Sequence, residues 1–194
     1  CFKSVMWADE LVLIDTGSTD KTLEVAKNFK IKTVQYKGKG SFSDWRDRGR
    51  KEAKGEWIFY LDADERVTPL LRREIISVIM QNKFTAYARP RRNIIFNKEF
   101  KFGGQWPDYN IRLFKSDSLM GWKGDLHEEP QFKGKLGYLK NPIIHIKHDN
   151  LSEMVEKTNM WSETEARLMY KANHPPMNMP RFFSAIFREF WTRM

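Results

Sequence analysis

The sequence predicts an α/β domain: a sheet of largely parallel strands flanked by helices, continuing into a mixed half. Three observations predict it. Apolar runs alternate with segments of helical period in the order β-α-β-α-β-α over residues 11–81. The strand-like runs are short and continuous, as in strands covered on both faces. With 194 residues, 41% hydrophobic and 14% aromatic, the chain can bury a core and is not a disordered one.

The elements follow in order. Leu11-Val12-Leu13-Ile14-Asp15 reads as a buried strand, and Thr16-Gly17-Ser18-Thr19-Asp20 as the loop after it. Ser18 or Thr19 can cap a helix reaching about Phe29, with Leu23, Val25 and Ala26 inward. Residues 33–36 form a short second strand, and Lys37-Gly38-Lys39-Gly40 a basic loop. A helix over residues 43–54 stops at Gly55, a C′ glycine. Trp57-Ile58-Phe59-Tyr60-Leu61 is a buried strand that runs into Asp62-Ala63-Asp64-Glu65. Thr68 and Pro69 are an N-cap and N1 pair opening a helix with the stripe Leu70, Leu71, Ile75, Ile76, Val78 and Ile79.

From residue 84 to 148 the pattern changes. Short strands at 93–96, 111–114 and 143–146 alternate with Gly- and Pro-rich loops, as in a mixed half of the same domain. Residues 151–171 read as a helix broken at His174-Pro175-Pro176. A last helix sets Phe182, Phe183, Ile186, Phe187, Phe190 and Trp191 on one face, with Arg181, Arg188, Glu189 and Arg193 elsewhere. The expected organisation is one domain over 1–150 and a helical extension over 151–194. That extension packs on the domain, on a membrane surface or on a second copy.

The net charge of +9, from 34 basic and 25 acidic residues, favours anionic partners such as nucleotide diphosphates or anionic lipids. No DNA or RNA recognition motif accompanies it, so nucleic acid is not expected as a partner. Arg89, Arg91 and Arg92 are the densest basic cluster and read as a solvated strand or loop face. One cysteine, Cys1, excludes an intramolecular disulfide and permits a reducing compartment. No apolar stretch reaches the roughly 20 residues of a membrane span. The chain opens without Met on residues that look like the end of a helix, so the natural N-terminus is expected upstream.

Asp15 ends the first strand, and Asp62 and Asp64 end the third. In a parallel sheet these carboxylates project toward one edge, where ligands of open α/β sheets bind. Paired hard oxygens at i, i+2 suit Mg2+ or Mn2+. The competing reading is an acidic turn capping the next helix. The Thr-Gly-Ser loop with a helix behind it suits a nucleotide, yet it is neither a Walker A loop nor Gly-x-Gly-x-x-Gly.

Four ordered motifs carry a more specific resemblance. Asp15-Thr16-Gly17-Ser18-Thr19-Asp20, then Trp45-Arg46-Asp47, then Gly55-Glu56-Trp57 leading into Leu61-Asp62-Ala63-Asp64-Glu65 resemble a family 2 glycosyltransferase of GT-A fold. The branch they resemble is that of bacterial enzymes related to lipopolysaccharide-core glucosyltransferases. The resemblance runs from the first residues to about residue 175.

It implies a Rossmann-like mixed sheet flanked by helices and an inverting, metal-dependent transfer with Mg2+ or Mn2+. The donor would be a nucleotide sugar, a UDP-sugar first among them, and the acceptor a saccharide or a lipid-linked one in cell-envelope glycan synthesis. Asp15 resembles the base-contacting aspartate, and Asp62 and Asp64 the DXD motif that holds metal and donor. Arg46 resembles a donor-phosphate contact; an exposed helix arginine is the competing reading. Gly103, Gly104, Trp106 and Tyr109 stand where an acceptor-binding loop is expected, with the two aromatics stacking on a sugar or anchoring the loop. Glu128 resembles the general base, with His127 orienting it or the acceptor, and Asp125 and Glu129 as rivals.

His145 resembles the histidine that completes the metal or diphosphate site; the competing reading is a satisfied core histidine, and His148 is the alternative. Glu65 is expected as a first-turn or loop residue. The family's first strand and its Lys-Asn-Glu-type loop have no counterpart, as expected of a chain truncated at its N-terminus. The implied location is cytoplasmic, with peripheral membrane contact through residues 181–194. A non-catalytic glycan- or membrane-binding remnant is the alternative function.

Overall fold

The structure, a computed structural model, describes residues 1–36, 40–124 and 128–193, so Lys37-Gly38-Lys39 lies outside the described residues. A 3-10 turn at Phe2–Val5 precedes β1 (Val12–Asp15), α1 (Thr22–Asn28), β2 (Lys32–Gln35), α2 (Phe42–Glu52), β3 (Trp57–Phe59), β4 (Glu65–Arg66) and α3 (Pro69–Gln81). Then come β5 (Ala86–Ile95), β6 (Lys98–Glu99), β7 (Asp108–Lys115), β8 (Leu119–Lys123), β9 (Glu129–Phe132), β10 (Leu136–Tyr138) and β11 (Ile143–His148). Two helices close the chain, α4 (Leu151–Lys171) and α5 (Met179–Arg193). The mixed α/β class is the one the sequence predicts.

The strand partners differ from a simple parallel run. β1 and β2 pair in parallel, from Val12 opposite Lys32 to Asp15 opposite Gln35. β3 instead pairs antiparallel with β7, from Trp57 opposite Lys115 to Phe59 opposite Leu113. It edges a seven-stranded sheet ordered β3-β7-β5-β11-β4, with β10 and β6 also on β5. An apolar run specifies burial but not its neighbour, and β7 offers Ile111, Leu113 and Phe114 as a matching surface.

Local chemistry explains the helix ends. Ser41 and Asp44 form a reciprocal capping box, so α2 begins at Phe42, ahead of the Ser43 start read from sequence. At its far end the chain turns extended at Ala53, and the Lys54 N–H goes to Glu10 (2.8 Å), so Gly55 is not the cap. The Thr68 hydroxyl accepts the Leu71 N–H (3.1 Å) and Pro69 starts α3, which ends on left-handed Asn82. α1 starts later than expected, at Thr22, whose N–H the Asp20 carboxylate accepts (2.9 Å), while Asp15 accepts the Ser18 N–H in the loop before it (3.1 Å).

The residues gather into two compact units, 1–91 with 109–144 and 92–108 with 145–194. The first holds two apolar clusters. One joins Leu71 and Ile75 of α3 to Tyr87, Leu113, Leu139 and Ile143; the other joins Tyr60, Ala86, Phe114, Leu119 and Trp122. Full burial of Leu71 or Ile75 stabilises by about 1.5–3 kcal/mol each. In the second unit, α4 buries none of its residues. The stripe on α5 stays open: Phe187 is 71% and Trp191 81% exposed. Among the described residues, no helix is long and apolar enough to cross a membrane.

Candidate functional site

The acidic segment is a closed turn. Tyr60 leaves β3 still donating its N–H to the Arg112 carbonyl (2.8 Å). The Glu65 N–H then donates to the Asp62 carbonyl, and the Asp62 N–H donates to Glu65 Oε2, both at 3.0 Å. Asp62 and the half-buried Asp64 are therefore spaced by a four-residue turn locked through main chain and side chain. Glu65 is not the loop residue expected from sequence. It belongs to β4, is 1% exposed, and its carboxylate meets Arg89 Nη2 at 2.5–2.6 Å. Arg89, read as part of a solvated face, is fully buried. A short acidic run does not tell which member turns inward; an arginine inside the buried strand Ala86–Pro90 does, because it needs a carboxylate.

A second ion-paired set stands beside this turn. Arg46, on α2, donates Nε to Glu128 Oε1 (3.0 Å) and Nη2 to Asp62 Oδ1 (3.0 Å). Its side chain is 11% exposed, so it is not a solvated helix arginine. Arg112, on β7, donates Nη2 to Glu128 Oε1 (3.1 Å) and lies 3.9 Å from Asp62 Oδ2. Both guanidinium carbons sit over the Trp122 ring, at 5.1 and 5.2 Å from its centroid. Trp122 is itself held edge-on by Tyr60 (5.0 Å), whose hydroxyl donates to the Arg46 carbonyl (3.2 Å).

The electrostatics follow from this geometry. Burial pushes Asp62 upward, but Arg46 and then Arg112 outweigh it and hold the carboxyl below its ordinary value. Burial likewise works against the Arg46 charge, and Asp62 and Glu128 outweigh it, raising Arg46. Arg112 goes the other way: burial and the neighbouring Arg46 bring it down to about 10, still protonated at neutral pH. Burial pushes the Tyr60 phenol up to about 12.

Asp15 is buried at the end of β1 and accepts the Ser18 N–H (3.1 Å), which fixes the loop past left-handed Gly17. Glu129 is exposed at the start of β9. Asp125 and His127 lie outside the described residues. Tyr109 is 45% exposed and packs edge-on against Tyr138 at 5.4 Å.

The second unit has its own polar centre. Asn93 is 1% exposed and gives its amide nitrogen to the Gln105 carbonyl (3.1 Å), Gln105 Oε1 (3.3 Å) and Asp108 Oδ2 (3.3 Å). Three acceptors around that nitrogen fix the amide's orientation, so Asn93 Oδ1 is the atom 2.6 Å from His145 Nδ1. His145 Nδ1 must then carry a proton, and the neutral ring has its lone pair on Nε2. Asn93 thus ties His145 to the loop bearing left-handed Gly103 and Gly104 and the 40%-exposed Trp106. His148 is half-buried, and burial, with Lys157 and Lys147, lowers its pKa.

Among the described residues, no three His, Cys, Asp or Glu side chains gather around a common point that would hold a metal. Sequence reasoning missed Arg112, Trp122, Asn93 and the Glu65–Arg89 pair as parts of these centres. The available signal was a lone charge inside the apolar run Ile111-Arg112-Leu113-Phe114, a position that demands a partner.

Known proteins resemble this chain in sequence and fold. Residues 1–133 match the family model described as glycosyl transferase family 2. An uncharacterized glycosyltransferase of Rickettsia bellii is 25% identical over 194 residues, covering 89% of this chain and 62% of the relative. The glycosyltransferase SunS of Bacillus subtilis is 26% identical over 163 residues, covering 82% of this chain and 37% of SunS. The chain thus spans about three fifths of the length of the Rickettsia relatives it matches. Among solved structures, S. aureus TarS 1-349 in complex with UDP-GlcNAc superposes with a TM-score of 0.54 at 13% identity, over 77% of this chain and 54% of that one.

Proposed function

The chain belongs to glycosyl transferase family 2, and from that premise we propose that it transfers a sugar from a nucleotide-sugar donor to a saccharide or lipid-linked acceptor. The observation that carries the reading is the Asp62–Arg46–Glu128–Arg112 set built around the turn that follows β3, inside the matched residues. It joins the acidic turn to the largely covered Glu128 carboxylate through two guanidiniums, the groups that suit a diphosphate. A UDP-sugar is the first donor to test, since the TarS complexes hold UDP-GlcNAc and UDP.

In the proposed reaction an acceptor oxygen attacks the anomeric carbon as the bond to the diphosphate breaks, inverting that centre. Glu128 takes the acceptor proton, oriented by Arg46 and Arg112. Arg46 and Arg112 also set positive charge against the departing diphosphate. Asp62 and Asp64 would hold Mg2+ or Mn2+. Two carboxylates of one turn fit such an ion, which keeps water and substrate phosphates in its shell and needs no protein cage. When bound, it neutralises charge on the leaving nucleotide. Asp15 would contact the base.

The finer reading is an inverting enzyme of the cell envelope, close to the lipopolysaccharide-core branch, working in the cytoplasm. Arg181 and Arg188 beside the open aromatic face of α5 support contact with an anionic membrane. Incubation with a panel of nucleotide sugars, reading released nucleotide, tests the assignment. Metal-dependent release by the wild-type chain and its loss in Asp64→Ala are expected; equal release by both overturns the assignment. A non-catalytic remnant would release none.

A further inference from the structure

We propose that Glu65 and Arg89 are positioning residues, a buried pair that holds the Asp62–Asp64 turn in the shape that takes a divalent cation and the donor's diphosphate. The inference rests on the nucleotide-sugar reading of that turn. Glu65 reaches Asp62 twice, through its own N–H to the Asp62 carbonyl and through Oε2 to the Asp62 N–H, both at 3.0 Å. Arg66 adds hydrogen bonds of 2.7 Å to the carbonyls of Ala63 and Glu65. Arg89 anchors the Glu65 carboxylate from β5, inside the sheet, and its guanidinium carbon lies 5.9 Å from the Phe59 ring. The turn is thereby tied to a rigid element, as a site that needs fixed ligands requires.

Fold stability alone accounts poorly for the pair. A buried ion pair is generally no more stabilising than apolar side chains of its size. Arg89 also leaves Nε and Nη1 buried without a hydrogen-bond partner among the described residues, a cost an apolar residue would not carry. What the pair supplies, and an apolar pair would not, is an acceptor for the Asp62 amide. Losing such support for a ligand typically costs about 10–100-fold in metal affinity or activity.

Two double variants of the full chain separate acceptor from charge. Glu65→Leu with Arg89→Met removes both charges and the acceptor. Glu65→Gln with Arg89→Met removes both charges but keeps an oxygen for the Asp62 N–H. Neither leaves a lone buried ion. Calorimetry reads UDP affinity with and without saturating Mn2+, and thermal melting reads the fold. The expected result is two cooperatively folded variants, with the glutamine form, which keeps the acceptor but loses its Arg89 anchor, falling between wild type and the leucine form. The leucine form loses about 10–100-fold in UDP affinity with Mn2+ and nothing without it.

Wild-type affinity in the leucine form overturns the proposal, as does an equal loss in both variants or a variant that no longer melts cooperatively. A wild-type chain that binds no UDP with Mn2+ removes the nucleotide-sugar reading and this inference with it. One that binds while the leucine form binds equally well removes this inference alone.

Discussion

Arg46 and Arg112 share the same two carboxylates unequally, and the difference is measurable as stability. In Arg112→Met the apolar stem is kept and one charge-assisted hydrogen bond, 3.1 Å to Glu128, is removed. Such a bond is worth about 1.5–3 kcal/mol. Glu128 keeps Arg46 at 2.9–3.0 Å, so it is not left as an unpaired ion. Arg46→Met removes two bonds of 3.0 Å, to Glu128 and to Asp62. The Asp62 side chain is 37% exposed, so solvent screens its share and that bond counts at the low end. The expected loss is then about 3–5 kcal/mol.

In the double variant both carboxylates lose both guanidiniums, so its loss exceeds the sum of the single losses by about 0.5–3 kcal/mol. Urea unfolding of the four proteins, compared through midpoint and slope, gives the cycle. Additive losses, or an Arg112 loss as large as that of Arg46, would refute the shared-carboxylate account.

Other outcomes follow from the same contacts. Asp62 is held below its ordinary value in the folded state, so the unfolded chain binds the extra proton and the contribution of Asp62 is complete above its unfolded pKa of about 3.9. That contribution fades as pH falls through the lower folded value, so Asp62→Asn should flatten the acid limb of the stability curve; superimposable limbs would contradict this. Nitrogen NMR should find the Nδ1–H tautomer at His145 and a mixture of tautomers in Asn93→Ala, and an Nε2–H tautomer in the wild type would be inconsistent with the Asn93 orientation. Flotation with anionic vesicles should retain the full chain and release one ending at Pro180, and equal partition of the two would end the membrane proposal.

Much of the fold was legible because period and caps are local. The stripe of α3 and its Thr68-Pro69 start were read from sequence, as was the strand before the acidic turn. The partner of β3 was not, since an apolar run such as Trp57–Phe59 matches any apolar neighbour. The four motifs led to the family, and to Asp62, Arg46 and Glu128, which the fold brings together. The roles of Glu65, Arg89 and Arg112 stayed hidden because charge in a sequence reads as surface until burial is known. Arg89 sits 24 positions from the carboxylate that explains it. Asn93 was equally invisible: its importance lies in four contacts made from residues 12 to 52 positions away.

The most direct test of the central claim is UDP binding to the wild-type chain by calorimetry, with Mn2+ and again with the metal chelated. One site is expected, with an affinity that falls steeply when the metal is removed and a metal dependence that is absent in Asp64→Ala. Binding with no metal dependence, or no binding by a folded chain, would contradict the claim.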